Sequence, residues 1–336
     1  MLSLRSFWKK FYPFIIVFIL FTAYVASCQS SYFRSAKPPL EPQKDKAAPS
    51  VPPQIGGDGK KEPVITVYIA EKGTVEEMGI EEYIAGVVAG EMEPKWPLPA
   101  LAAQAILART FTLQKIAENG GVPQRNAHAS TDIEEFQAYS EEDINDRVRE
   151  AVRITRGEVA CYNEEFIRAW FHAYAGPRTA LADEGLAFES NPPYIQIVES
   201  PGEKIIPPEE ARWGASFTLD EVRNAVKEAL GKDPGAITTF ETAEYGPSGR
   251  VAFFLVNDEK ISAPALRLGL GSTQMRSTFI EEMNVNSGML HLSGVGYGHG
   301  VGMCQWGARA MAEEGKTPEE IVAYFYKDIH IVSLWD

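Results

Sequence analysis

The sequence is short of positive charge: 32 Lys and Arg stand against 46 Asp and Glu, for a formal net charge of −14. A surface that tracks phosphates needs clustered cations, so nucleic acid is excluded as a general partner. An anionic polymer fits only in a locally basic groove. Cysteine is scarce as well, with three in 336 residues. Cys28 closes an N-terminal apolar run, which leaves Cys161 and Cys304 as the one pair in the body. Sequence alone does not decide whether they are joined. There is no internal repeat. Nor is there a strand–helix–strand rhythm, which argues against a doubly wound parallel sheet.

What is present begins with a targeting segment at residues 1–28. Arg5, Lys9 and Lys10 precede an apolar run of about 16 residues from Phe11 to Ala26, between a signal-peptide core and a spanning helix in length. It ends Val25-Ala26-Ser27-Cys28, similar to the lipobox of bacterial lipoproteins, where the Cys is acylated. The other reading is an uncleaved anchor helix. Both place the body outside the cytoplasm and tether it. Residues 29–63 are rich in Pro, Lys, Ala and Gly and read as a disordered spacer, with too little apolar surface to offset ordering entropy. The body, 64–336, reads as one domain or as two lobes, about 64–180 and 181–336.

Within the body Val64–Ile69 has strand composition. From Ile80 the period becomes helical, with Ile80, Tyr83, Ile84, Val87 and Val88 on one face. A second helix opens near Pro99 and stops at Asn119-Gly120-Gly121. A third is expected from a capping box, Ser140 to Asp143, through Val152. Strand-like runs follow at Val159–Tyr162 and Phe166–Tyr174, then a helix capped by Thr218 and Glu221. Further strands are expected near Ile237–Thr242, Arg250–Val256 and Met289–Ser293. A Gly-rich loop from Gly294 to Gly302 leads to a helix over 303–314, one capped at Thr317, and a last strand near Ile329–Leu334. Irregular interleaving of this kind predicts an α+β fold, rich in antiparallel strands and shaped around a groove.

One residue breaks the apolar pattern. The next turn of the Ile80–Val88 face lands on Glu91, just before a segment interrupted by Pro94 and Pro97. Partial burial raises a carboxyl pKa, as a general acid working near neutrality requires. The alternative is a helix that ends at Gly90, leaving Glu91 solvated.

Three blocks carry a family resemblance: Glu82-Tyr83-Ile84-Ala85-Gly86-Val87-Val88-Ala89-Gly90-Glu91-Met92 with Trp96-Pro97 and the helix Ala100–Thr110; Phe171-His172 with Gly176 and Thr179; and Gly298-His299-Gly300-Val301-Gly302-Met303-Cys304-Gln305-Trp306-Gly307-Ala308. In this order they resemble the stage II sporulation protein D family. The resemblance implies a lytic transglycosylase of peptidoglycan that prefers glycan strands stripped of stem peptides, with Glu91 as its catalytic acid/base. It implies the glycan as substrate and a role in engulfment during spore formation. A peptidoglycan amidase and other engulfment proteins are the implied partners. Arg109 is then a candidate for the muramic acid carboxylate, for orienting Glu91, or for plain helix packing. Gln104, His172, Thr179, His299 and Gln305 are candidate substrate contacts, with the alternating glycines letting backbone approach a ligand closely.

The departures are specific. Glu93 precedes Pro94 and is a rival carboxylate off the apolar face, and Ala173–Pro177 replaces a hydroxyl-rich turn. Some relatives bind zinc through one His and two Cys in the segment corresponding to 128–139; here His128 stands without a Cys, so no zinc is expected there. A site from His172, His299 and Cys304 is conceivable by residue type alone. No metal or cofactor is called for. The rival function is a non-catalytic wall-binding module that stimulates an amidase, as relatives called amidase enhancers are described.

Overall fold

Val64–Ile69 forms strand β1, burying Ile65 and Val67 on one face. It pairs antiparallel with β2 (Thr74–Gly79) and parallel with β3 (Ala129–Ser130). The computed structural model describes residues 48–56 and 61–336. The targeting segment with Cys28 and most of the spacer lie outside the described residues. Among the described residues no helix is long and apolar enough to cross a membrane.

From β2 the chain turns directly into α1 (Ile80–Glu91), whose N-cap, Gly79, has no side chain to offer. Glu62 supplies the missing acceptor from a distance. Its carboxylate takes the Glu81 N–H at 3.0 Å and pairs with Arg156 at 2.7 Å. Helix α2 (Leu98–Asn119) starts with Pro99 in its first turn and ends at Gly120, left-handed at φ 72°. It is buried on most sides, packed through Ala100, Ala102, Ala103, Ala105 and Ala108. Such a helix belongs to the middle of a core.

Arg109 lies fully buried on α2. It donates Nε and Nη2 to Glu81 at 3.1 and 2.5 Å and Nη1 to the Glu158 carbonyl at 2.8 Å. Glu81 Oε1 also accepts from Gly157 N–H at 3.0 Å and Trp335 Nε1 at 2.9 Å. The first core is closed by α3 (Asp146–Ile154) and a sheet of β4 (Glu158–Tyr162), β5 (Glu165–Phe166) and the C-terminal strand His330–Ser333. A two-stranded parallel ladder joins β6 (Phe171–His172) to Met303–Cys304.

The chain passes through short helices α4 (Ala182–Leu186) and α5 (Pro208–Ala211) and then builds a second core. There β7 (Arg212–Thr218), β11 (Ile280–Asn286) and β12 (Met289–Val295) form one antiparallel sheet. A second comprises β8 (Phe240–Tyr245), β9 (Val251–Val256) and β10 (Glu259–Ser262). With α6 (Leu219–Leu230) and α7 (Ala263–Gly269) they bury Trp213, Phe217, Phe254 and Leu290. The chain rejoins the first core at Val301, continuing into β13 (Met303–Cys304), α8 (Gln305–Glu313), α9 (Pro318–Phe325) and β14, the terminal strand. The fold is mixed α+β with small, mostly antiparallel sheets.

Three local expectations change. Residues 48–56 pack on the body, with Pro49 and Pro52 buried and Val51 and Ile55 against the first core, because this part of the spacer does carry apolar side chains. The helix expected from Ser140 starts at Asp146: Asn145 accepts the Val148 N–H at 3.0 Å, while Ser140 instead bonds Asp143 at 2.7 Å. The long aromatic strand breaks into β5 and β6. Removing the buried cation in Arg109→Met should cost about 3–5 kcal/mol, read from the denaturant midpoint, because Glu81 is left facing no positive charge.

Candidate active site

Glu91 is the last residue of α1 and is half-buried. Its Oε1 accepts the Ala138 N–H at 2.8 Å, and the Gln305 side chain bonds the same carboxyl group. Burial outweighs both bonds, which favour the ionised form, and pushes the pKa up to about 7. Segment 138–139 approaches this closely because α1 presents glycines to it. A Cβ at Gly90 would lie 2.6 Å from Tyr139 N, and one at Gly86 only 2.1 Å from the Tyr139 ring. That ring in turn stacks on Tyr83, centroids 5.8 Å apart. Glu93, the rival carboxylate, is exposed.

Gln305 opens α8 and is buried, as is Gln104 on α2. Gln305 Nε2 lies 3.4 Å from Gln104 Oε1, while Gln104 Nε2 is buried with no hydrogen-bond partner among the described residues. Three helices therefore meet at Glu91, Gln305 and Gln104. Beside them Trp96, on the loop after Glu91, packs against Trp306, centroids 4.8 Å apart.

His172 and His299 face each other at 5.4 Å between centroids. His172 Nδ1 donates to the Val301 carbonyl at 3.1 Å, leaving Nε2 buried without a partner among the described residues. His299 Nδ1 accepts the Val301 N–H at 3.0 Å. Burial first, then neighbouring positive charge, holds His172 well below the usual imidazole range and lowers His299 to about 3. Both rings are neutral at pH 7. His172 pairs with Cys304 across β6 and β13, and Gln305 is the next residue, so the two groups adjoin along the chain.

Thr179 is fully buried, and its hydroxyl sits 3.0 Å from the Gln196 carbonyl and 2.9 Å from the Val198 N–H. Arg109, expected among the substrate contacts, is instead locked to Glu81. Its donors are directed inward because Glu81 and the Glu158 carbonyl converge on it. Cys161 and Cys304 are both buried and no disulfide joins them. Cys304 Sγ caps α8, accepting the N–H of Gly307 at 3.3 Å and of Ala175 at 3.4 Å. His128 Nδ1 accepts the Thr66 N–H at 3.0 Å.

One residue escaped sequence reasoning. Arg250, fully buried before β9, donates to the carbonyls of Ala175 and Arg178, the latter at 2.9 Å. It lies so close over Gly300 that a Cβ there would be 2.6 Å from the guanidinium carbon. Gly300 in the alternating run was the available signal. It marks a backbone that something approaches, without saying what.

A carboxyl group whose pKa is raised to about 7, held where three helices meet beside a pair of buried amides, is the candidate acid/base site of this α+β protein. A family model described as Stage II sporulation protein matches residues 68–162, and one described as a domain of unknown function matches residues 207–302. The chain is 32% identical over 307 residues to stage II sporulation protein D of Bacillus subtilis (strain 168), covering 86% of this chain and 85% of that one. It is 32% identical over 286 residues to stage II sporulation protein D of Bacillus amyloliquefaciens, covering 81% and 80%. Against the amidase enhancer of Bacillus subtilis (strain 168) it is 26% identical over 297 residues, 74% of this chain and 40% of that one. The chain belongs to the stage II sporulation protein D family.

The position of Glu91 has a cost in stability. Its pKa is raised from 4.5 to about 7, so the folded state binds the proton more tightly than the unfolded one. Stability is therefore full below the unfolded value and is lost as pH rises from about 4.5 to about 7. Glu91→Gln should be more stable than wild type by about 1–3 kcal/mol at pH 8, the gap closing towards pH 4. Urea unfolding at the two pH values checks this.

Proposed function

We propose that this protein is a lytic transglycosylase that cuts between N-acetylmuramic acid and N-acetylglucosamine in peptide-stripped glycan strands. The observation that carries the reading is the half-buried Glu91 carboxyl at the helix junction, titrating near 7. Protonated, Glu91 donates to the glycosidic oxygen as the bond breaks through an oxocarbenium-like state. The carboxylate then takes the proton from the muramic acid O6, which attacks C1 and closes a 1,6-anhydro ring. No water attacks, so a second carboxylate is not required. The Ala138 N–H and the Gln305 amide stabilise the carboxylate between the two transfers, which keeps the proton affinity close to neutrality. Neutral His172, His299 and the Gly-rich loop form the polar wall of the groove, with Gln104 behind Gln305. The chemistry needs no metal or cofactor.

Residues 1–28 hold the catalytic body to the outer face of the cytoplasmic membrane, through a lipid on Cys28 or an uncleaved helix. Family membership supports work on the wall during sporulation, beside an amidase that strips the peptides. Similarity to the amidase enhancer supports a second reading, a glycan-binding protein without chemistry of its own.

The two readings part on one product. Incubating the full chain, in detergent, with peptide-stripped strands should yield 1,6-anhydromuramic ends. Glu91→Gln should lower the rate by at least about 10²-fold. Wild type without product, or undiminished product in the variant, leaves the binding reading. The rate should also fall about tenfold per pH unit above 7, because the proton donor is then increasingly ionised.

A further inference from the structure

We propose that Arg309 reads the lactyl carboxylate of muramic acid next to the cleaved bond, so that stripped strands are selected by charge. The inference rests on the glycan reading above and concerns a residue outside the matched motifs. With Arg109 locked inside the protein, the carboxylate of a stripped strand needs another cation.

Arg309 stands on α8, one turn after Gln305. Its guanidinium carbon lies 5.2 Å from the Trp96 ring centre and 4.9 Å from that of Trp306. The two indoles are themselves in contact at an interplanar angle of 59°. Trp96 is on the loop leaving Glu91, and Trp306 follows the glutamine that bonds Glu91. The platform is therefore joined along the chain to Glu91 on one side and to Gln305 on the other. An Arg with an i,i+4 partner is ordinarily a solvated helix pair, and Glu313 does hold Arg309 Nε at 2.9 Å. Here that bond engages one edge of the guanidinium and the indoles cover its flat side. The Nη1 and Nη2 edge makes no hydrogen bond among the described residues, and the side chain is 30% exposed.

A planar fork fixed in this way loses little freedom on binding and matches a carboxylate with two parallel N–H bonds. Neighbouring cations are less suited. Arg147 turns Nη1 to the carbonyls of Lys95 and Trp96, at 2.8 and 3.2 Å, and among the described residues no aromatic ring covers its guanidinium to fix the fork. The chemistry of the strand supplies the specificity. Stripping the stem peptide frees the lactyl carboxylate, whereas a peptide attached there makes an uncharged amide. A fork facing that group favours the stripped strand without contacting any peptide.

The test measures binding, with Glu91→Gln as background so that nothing is cut. Full chains in detergent are titrated with peptide-stripped strands and with the same strands after their lactyl carboxyls are converted to methylamides. The stripped strand should bind roughly tenfold more tightly than the amidated one. Adding Arg309→Gln should bring both to the weaker value. Adding Arg309→Lys, which keeps the stem and charge but loses the fork, should leave a ratio of about threefold. Equal affinities before Arg309 is changed, or an undiminished ratio in either variant, overturn the assignment. The ligand-side comparison needs no change at Arg309, so a misfolded variant does not remove it. A wild-type chain that makes no anhydro ends defeats the catalytic reading alone; one that binds neither strand defeats both.

Discussion

The ion pair between Glu81 and Arg109 is the constraint on which the rest of the structure depends. It is buried, and the same carboxylate also receives Gly157 N–H and Trp335 Nε1. Three other stretches of chain are therefore bound to one group on α1. A buried pair of this kind adds little net stability over a well-packed apolar substitute, yet losing one partner is costly. Its consequence is geometric. With Glu62 capping the same end, the start of α1 has one position, and ten residues of rigid helix carry that position to Glu91.

Two carboxylates on one helix thus meet opposite surroundings. Glu81 faces a guanidinium and two further donors. Glu91 meets two neutral donors and, among the described residues, no cation, so desolvation prevails and its pKa rises to about 7. The glycines at 86 and 90 matter as much as the acid, since they admit the backbone that both buries and hydrogen-bonds it. On the far side Arg250 reaches from the segment preceding β9 to the carbonyls of Ala175 and Arg178. The Gly300 carbonyl in turn accepts the Ala180 N–H at 2.8 Å, which ties the Gly-rich loop to the same segment.

Much of this was legible along the chain. The helical face through Val88 pointed to Glu91, and the boxes at Thr218 and Thr317 form as expected. Local signals succeed where the interacting groups lie within one turn. They mislead where two candidates compete, as Ser140 and Asn145 did for the same helix. Strands β2 and β11 were missed because glutamates at 76, 77, 281 and 282 hide their alternation. The turn between β11 and β12, with Ser287 and Gly288 both at positive φ, was a readable hairpin signal. Arg109 could not be assigned from its own helix, because Glu81 lies 28 residues earlier.

By itself the sequence determined the periodic elements, the helix ends, the presence of an acid on an apolar face and the membership of a family. These follow from contacts between near neighbours, which spacing alone specifies. Tertiary structure decided which cation stays inside, which remains open at the surface, and how tightly Glu91 holds its proton. Those properties depend on what covers a group, and at Glu91 the cover comes from Ala138 and Gln305, which only folding brings to it.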